Sequence, residues 1–247
     1  MPIIYVKFMK RNRRMIRNFN NKKPNIDISA YVDEQATVIG DVTVGKDSAL
    51  WPQAVARGDI NSITIGDRTN VQDGSILHVT HAGEFCPSGY PLSIGSDVTI
   101  GKDSALWPQA VARGDINSIT IGDRTNIQDG SILHVTHAGE FCPSGYPLSI
   151  GSDVTIGHSA VIHACTIKSK CLIGMGSIIL DGAIINSECM IGAGALIGPG
   201  KIIDSGYLYV GSPAKKARKL TDKELEFLIY SAKGYVDLKN KYLKLKT

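Results

Sequence analysis

Residues 171–203 read CLIGMGSIILDGAIINSECMIGAGALIGPGKII, and Ile173, Ile179, Ile185, Ile191, Ile197 and Ile203 fall at every sixth position. An apolar period near 3.6 marks a helix and a period of two a simple sheet. A period of six fits neither alone. It fits a short flat strand followed by a tight turn, with three such units closing one triangular coil. The aliphatic residue then points inward and stacks on its equivalent one coil away. Glycine relieves the turn behind it, as in Ile173-Gly174, Ile191-Gly192 and Ile197-Gly198.

The same beat runs towards the N-terminus through Val32, Val38, Val44 and Leu50, then Ile65, Val71 and Leu77, then Ile94, Ile100 and Leu106. The expected fold is therefore an all-β solenoid, a left-handed parallel β-helix of hexapeptide repeats spanning 27–213. A C-terminal α-helix is expected within 214–247. Its start is signalled by Thr221-Asp222-Lys223-Glu224, a capping box, and by Leu225, Leu228 and Ile229 at helical spacing. Residues 1–26 hold eight Lys and Arg with no Asp or Glu before Asp27, which reads as a basic N-terminal leader.

A longer repeat lies over the short one. Residues 41–101 match residues 97–157 at an offset of 56, and only Val44/Ile100 and Val71/Ile127 differ. Near-identity of that length points to a recent or deliberate segment duplication, as in an engineered chain. The repeat unit spans seven hexapeptide edges, and seven is not a multiple of three. A continuous coil should therefore turn the first copy by one face relative to the second, so that Arg57 and His78 face away from Arg113 and His134.

Apolar residues make up 43% of the 247 and charged residues 20%, the balance of a core-forming chain. No apolar run approaches the ~20 residues of a membrane span. Basic charge without acidic neighbours is confined to the leader, since the Lys-rich tail is interleaved with Asp222, Glu224, Glu226 and Asp237. The net charge is only +4, so neither nucleic acid nor membrane is an expected partner. Five cysteines without CxxC spacing read as small buried residues in a reducing compartment, and a cytoplasmic location follows.

All six histidines sit in two motifs. Leu-His-Val-Thr-His gives His78 and His81, then His134 and His137; Ile-Gly-His-Ser-Ala-Val-Ile-His gives His158 and His163. Three imidazoles with an open fourth position mark a catalytic zinc. His134 and His163 are 29 residues apart, one coil of 18 plus an 11-residue loop, and occupy equivalent hexapeptide positions, so they should stack. His158 occupies a different position and points elsewhere, so it completes a site only by meeting a neighbouring chain. In the first copy the residues matching His158 and His163 are Lys102 and Trp107, so metal is expected only at the second.

The hexapeptide coil, Ala-Arg-Gly-Asp at 112–115, Thr-Asn-Ile-Gln-Asp-Gly at 125–130, Leu-His at 133–134, Gly-His at 157–158 and Leu-Asp-Gly-Ala at 180–183 resemble the gamma-class carbonic anhydrase-like family. Ser-Gly-Tyr-Leu-Tyr-Val-Gly-Ser-Pro-Ala at 205–214 is similar to its bacterial cytosolic branch. The resemblance implies a homotrimer with Zn2+, or another divalent transition metal, at each subunit interface. It implies His134 and His163 as ligands from one chain and His158 as the ligand from its neighbour. It further implies Gln128 on the metal-bound water with Asn126 nearby, Arg113 and Asp115 as an ion pair supporting the trimer, and carbon dioxide or bicarbonate as the substrate. Where the family's archetype carries two glutamates, this chain has Ile116 and His137. An imidazole relays protons near its own pKa, which makes His137 the candidate shuttle. Weak or absent hydration is therefore part of the expectation. The competing readings are a non-catalytic, metal-stabilised trimeric scaffold and a hexapeptide acyltransferase.

Overall fold

A computed structural model describes residues 15–79, 89–114, 116–140 and 142–231. The chain winds as a parallel β-solenoid of about nine turns closed by one C-terminal helix, the architecture of a hexapeptide-repeat left-handed β-helix. Each turn lays one short strand on each of three faces. Face 1 includes Ile76–His78, Ala105–Leu106, Asn126–Ile127, Thr155–Ile156 and Leu172–Ile173; face 2 includes Leu92–Ile94, Val111–Arg113, Ile132–His134, Val161–His163 and Ile178–Ile179. Face 3 is a separate nine-stranded sheet from Tyr31–Val32 to Ile202–Ile203. Faces 1 and 2 join near the N-terminal end, where the strands Thr37–Val44 and Val55–Ile65 run continuously around the corner.

The sixth-position residues carry the core. On face 2 the inward column Val44, Ile65, Ile94, Ala112, Leu133, Ile162, Ile179 and Ile197 is fully or almost fully shielded from water. Burying an aliphatic side chain of this size contributes about 1.5–3 kcal/mol. Glycine at the corner between faces 3 and 1 allows successive coils to approach: a Cβ on Gly122 would lie 2.6 Å from the carbonyl carbon of Gly151.

Strand pairing gives the repeat's register. Val44 lies on face 2 and its copy Ile100 on face 3; Leu77 lies on face 1 and its copy Leu133 on face 2. The two copies are offset by one face, as seven edges require. Arg57 is in register with His78 on face 1, whereas Arg113, His134 and His163 form one register on face 2.

The last coil strand, Tyr207–Val210, pairs antiparallel with Lys215–Lys219. The 214–247 stretch thus begins with a strand that takes up hydrogen-bonding groups an open sheet edge would expose. The helix starts at 222 and continues to residue 231, the last described one. Its capping box forms as expected: the Thr221 amide donates to Glu224 Oε2 at 2.9 Å and the Glu224 amide to Thr221 Oγ1 at 3.3 Å. Leu228 is buried, and Ser231 Oγ lies 3.0 Å from Thr155 Oγ1, which seats the helix on face 1. Among the described residues no helix is long and apolar enough to cross a membrane. Cys165, Cys171 and Cys189 are buried thiols, and Cys86 lies outside the described residues.

Candidate metal centre

Three outward positions at the end of face 2 stack in successive coils: Arg113, His134 and His163. Parallel pairing of Ile132–His134 with Val161–His163 brings the two imidazoles together, with His134 Nδ1 3.1 Å from His163 Nε2 and ring centroids 5.1 Å apart. Two nitrogens bound at about 2.0–2.1 Å to one tetrahedral ion stand roughly 3.3 Å from each other. The observed pair is already near that separation.

His163 is held from its other side. Its Nδ1 lies 3.0 Å from Asp181 Oδ2, and the second oxygen of Asp181 accepts the Thr136 hydroxyl. Burial raises the Asp181 pKa, but the hydrogen bonds from Thr136 and His163 outweigh it and hold the carboxyl below its ordinary value. An ionised carboxylate only accepts, so Nδ1 of His163 is the donor in this contact and Nε2 is the nitrogen that faces His134.

His158 stands apart. It follows the face 1 strand Thr155–Ile156, half exposed, with Nδ1 3.2 Å from Asp129 Oδ2. His158 and Gln128 line one end of a groove of about 510 Å³ between face 1 and the helix, whose other walls include Leu172, Met190 and Phe227. Gln128 is 8% exposed and Asn126 1%. Asn126 Oδ1 accepts the Trp107 indole N–H, which leaves its amide as the free end, buried with no partner among the described residues. Among the described residues of one chain, no three His, Cys, Asp or Glu side chains converge on a common point. Two expected ligands meet; the third lies on another corner of the same coil.

The remaining expected residues are placed as follows. His137 is exposed on the hairpin that leaves His134, where Thr136 and Tyr146 exchange backbone hydrogen bonds at 3.0 Å. Arg113 is in place, but Asp115 lies outside the described residues. The first copy shows the corresponding pair, with Arg57 3.1 Å and 2.8 Å from Asp59 Oδ2. Asp181 and Thr136 were not singled out from sequence as site residues. The signal was available, since Asp181 is 18 residues after His163, one coil on.

The bacterial transferase hexapeptide (six repeats) family matches residues 164–199. The chain is 49% identical over 179 residues to Protein YrdA of Escherichia coli, which covers 72% of this chain and 88% of that protein. It is 46% identical over 153 residues to a carbonic anhydrase of Geobacillus kaustophilus, covering 62% of this chain and 80% of that one. A crystal structure of a candidate acetyltransferase from Bacillus cereus superposes with a TM-score of 0.57 at 32% identity, covering 93% of this chain and 97% of that one.

Proposed function

From the premise that this chain belongs to the hexapeptide-repeat family with gamma-class carbonic anhydrases among its members, we propose that it is a metalloprotein hydrating carbon dioxide at a subunit interface. His134 and His163 would hold the metal, zinc or another divalent transition ion, together with His158 of the partner subunit. The observation that carries this reading is the in-register imidazole pair, with facing nitrogens 3.1 Å apart and His163 fixed by Asp181.

A zinc ion in such a site lowers the pKa of bound water to about 7 and so supplies hydroxide at neutral pH. This chain's residues do the rest. Gln128 and His158 line one groove, so they would reach the site together, and the Gln128 amide would orient the attacking water. Asn126, its carbonyl held by Trp107, would add an amide donor two residues before Gln128. His137, exposed three residues after His134, would pass protons to solvent. Arg113 and Asp115 would brace the interface in a homotrimer.

A second reading has its own observations. Ile116, 47% exposed, and His137 stand where acidic relays would serve hydration, and this favours a metal-stabilised trimer with little turnover. The likeness to the Bacillus cereus structure keeps acyl transfer as the alternative chemistry. Coenzyme A binding separates it, because a carbonic anhydrase-like site needs none.

The deciding experiment measures metal per chain and solution mass for the wild type and His158→Ala. One metal per chain in a trimer, lost in the variant, supports the interface site and leads to a hydration assay. A metal-free monomer or dimer overturns it.

A further inference from the structure

We propose that Asp181 and Thr136 are positioning residues that fix the tautomer of His163 and aim its Nε2 at the metal. The inference rests on the metal-site reading above and extends it to the residues behind the ligand. Asp181 is anchored at both oxygens, one taking the His163 Nδ1–H and the other the Thr136 hydroxyl. Thr136 is itself clamped. Its amide and carbonyl pair with Tyr146 at 3.0 Å, and its carbonyl also accepts from Asn117 Nδ2 at 3.2 Å.

The coil above supplies the other half. Asp181 lies in the turn after Ile178–Ile179, and the next residue, Gly182, has a φ of +66°. The Tyr146 ring lies over that glycine, 3.4 Å from where a Cβ would be. One hairpin therefore packs on the turn that carries the carboxylate and donates the hydroxyl that orients it.

The first copy supplies the contrast. His78 has Trp107 above it at a centroid distance of 6.4 Å, where His134 has His163. Asp181 lies beyond the duplicated segment and has no counterpart there. The carboxylate thus accompanies the paired imidazoles and not the Leu-His-Val-Thr-His sequence itself. A carboxylate on the far nitrogen of a ligand histidine fixes its orientation and raises its basicity. Losing such a partner typically costs about 10–100-fold in metal affinity.

The test uses the full-length chain and zinc alone. Zinc affinity by chelator competition and the His163 tautomer by 15N–1H correlation of the metal-free protein are measured for wild type, Asp181→Ala, Asp181→Asn and Thr136→Val. Asp181→Ala is expected to weaken zinc about 10–100-fold and to shift His163 from the Nδ1–H form towards a mixture. Asp181→Asn, which still accepts from Nδ1–H and donates to Thr136, recovers most of both. Thr136→Val, nearly isosteric, loses several-fold in affinity with an unchanged melting temperature. Wild-type affinity together with an unchanged tautomer in Asp181→Ala and Thr136→Val overturns the proposal. If Asp181→Ala does not fold, Thr136→Val decides by the same two readings. A wild type that takes up no zinc sinks the metal reading, and the tautomer measurement still decides whether Asp181 orients His163.

Discussion

Two stretches of nearly the same sequence, 41–101 and 97–157, wind into the same solenoid one face apart and end in different surroundings. Their internal contacts agree closely. The Arg68–Asp97 pair has both hydrogen bonds at 2.7 Å, and its copy Arg124–Asp153 has them at 2.7 and 2.8 Å. Thr69 Oγ1 reaches the Gly95 carbonyl at 2.7 Å, and Thr125 Oγ1 reaches Gly151 at 2.8 Å. The left-handed turn residues agree too, with φ of +62° at Gln53 and +61° at Gln109. The coil's turns and ties are thus encoded within the repeat. What differs is the coil laid on top: Trp107 above His78, His163 and then Asp181 above His134. The shell is locally specified, whereas the site depends on which coil follows.

The sharpest way to break this contrast is to write the first copy's residue into the second. His163→Trp should abolish metal uptake and leave the solenoid intact, because Trp107 already occupies the equivalent place in a well-packed coil; metal content and circular dichroism check it. Retained metal would show that His163 is not a ligand. Next come the paired core truncations Leu77→Ala and Leu133→Ala. Both side chains are fully buried, and each change should cost about 2–5 kcal/mol in denaturant unfolding. Only Leu133→Ala, which loosens the strand bearing His134, should also weaken metal binding.

Period six was legible in the sequence because inward aliphatic residues and corner glycines are local features. The one-face offset followed by counting edges, and the stacking of His134 on His163 followed from one coil plus a loop. The capping box at Thr221 and Glu224 was legible for the same reason. The strand Lys215–Lys219 was not, since its exposed residues carry no apolar alternation and it pairs only because the last coil offers an edge. Thr136 was hidden for another reason. It meets Asp181 across 45 residues, joined by a hairpin whose path no period encodes, whereas Asp181 itself falls one coil after His163.

His78 gives the next test. Burial, and then the nearby Arg57 guanidinium, hold its pKa below the ordinary histidine value. The unfolded chain therefore binds this proton more readily than the folded one. The stability that neutral His78 contributes is present above the unfolded value of about 6.5 and is lost as pH falls through the folded one. His78→Asn should flatten that part of the stability profile, and the His78 ring proton should show an NMR midpoint below 6.5. A midpoint at or above 6.5 would mean that His78 is not shielded as the stacked coil requires.

The smallest expected effect tests local encoding itself. Arg124→Ala removes a two-point pair to Asp153 whose side chains are 45% and 22% exposed, so water already screens much of the attraction. The loss should be at most about 1 kcal/mol and should shrink in high salt. Arg68→Ala removes the same geometry from the first copy, where the side chains are 57% and 37% exposed, and should cost less still. If the two variants instead differ widely in thermal unfolding, the copies are not energetically equivalent, and the shell as well as the site depends on the neighbouring coils. If both are small and fade together with salt, the repeat's surface ties are a property of its sequence. The difference between the copies then lies in the stacked imidazoles and the carboxylate behind them.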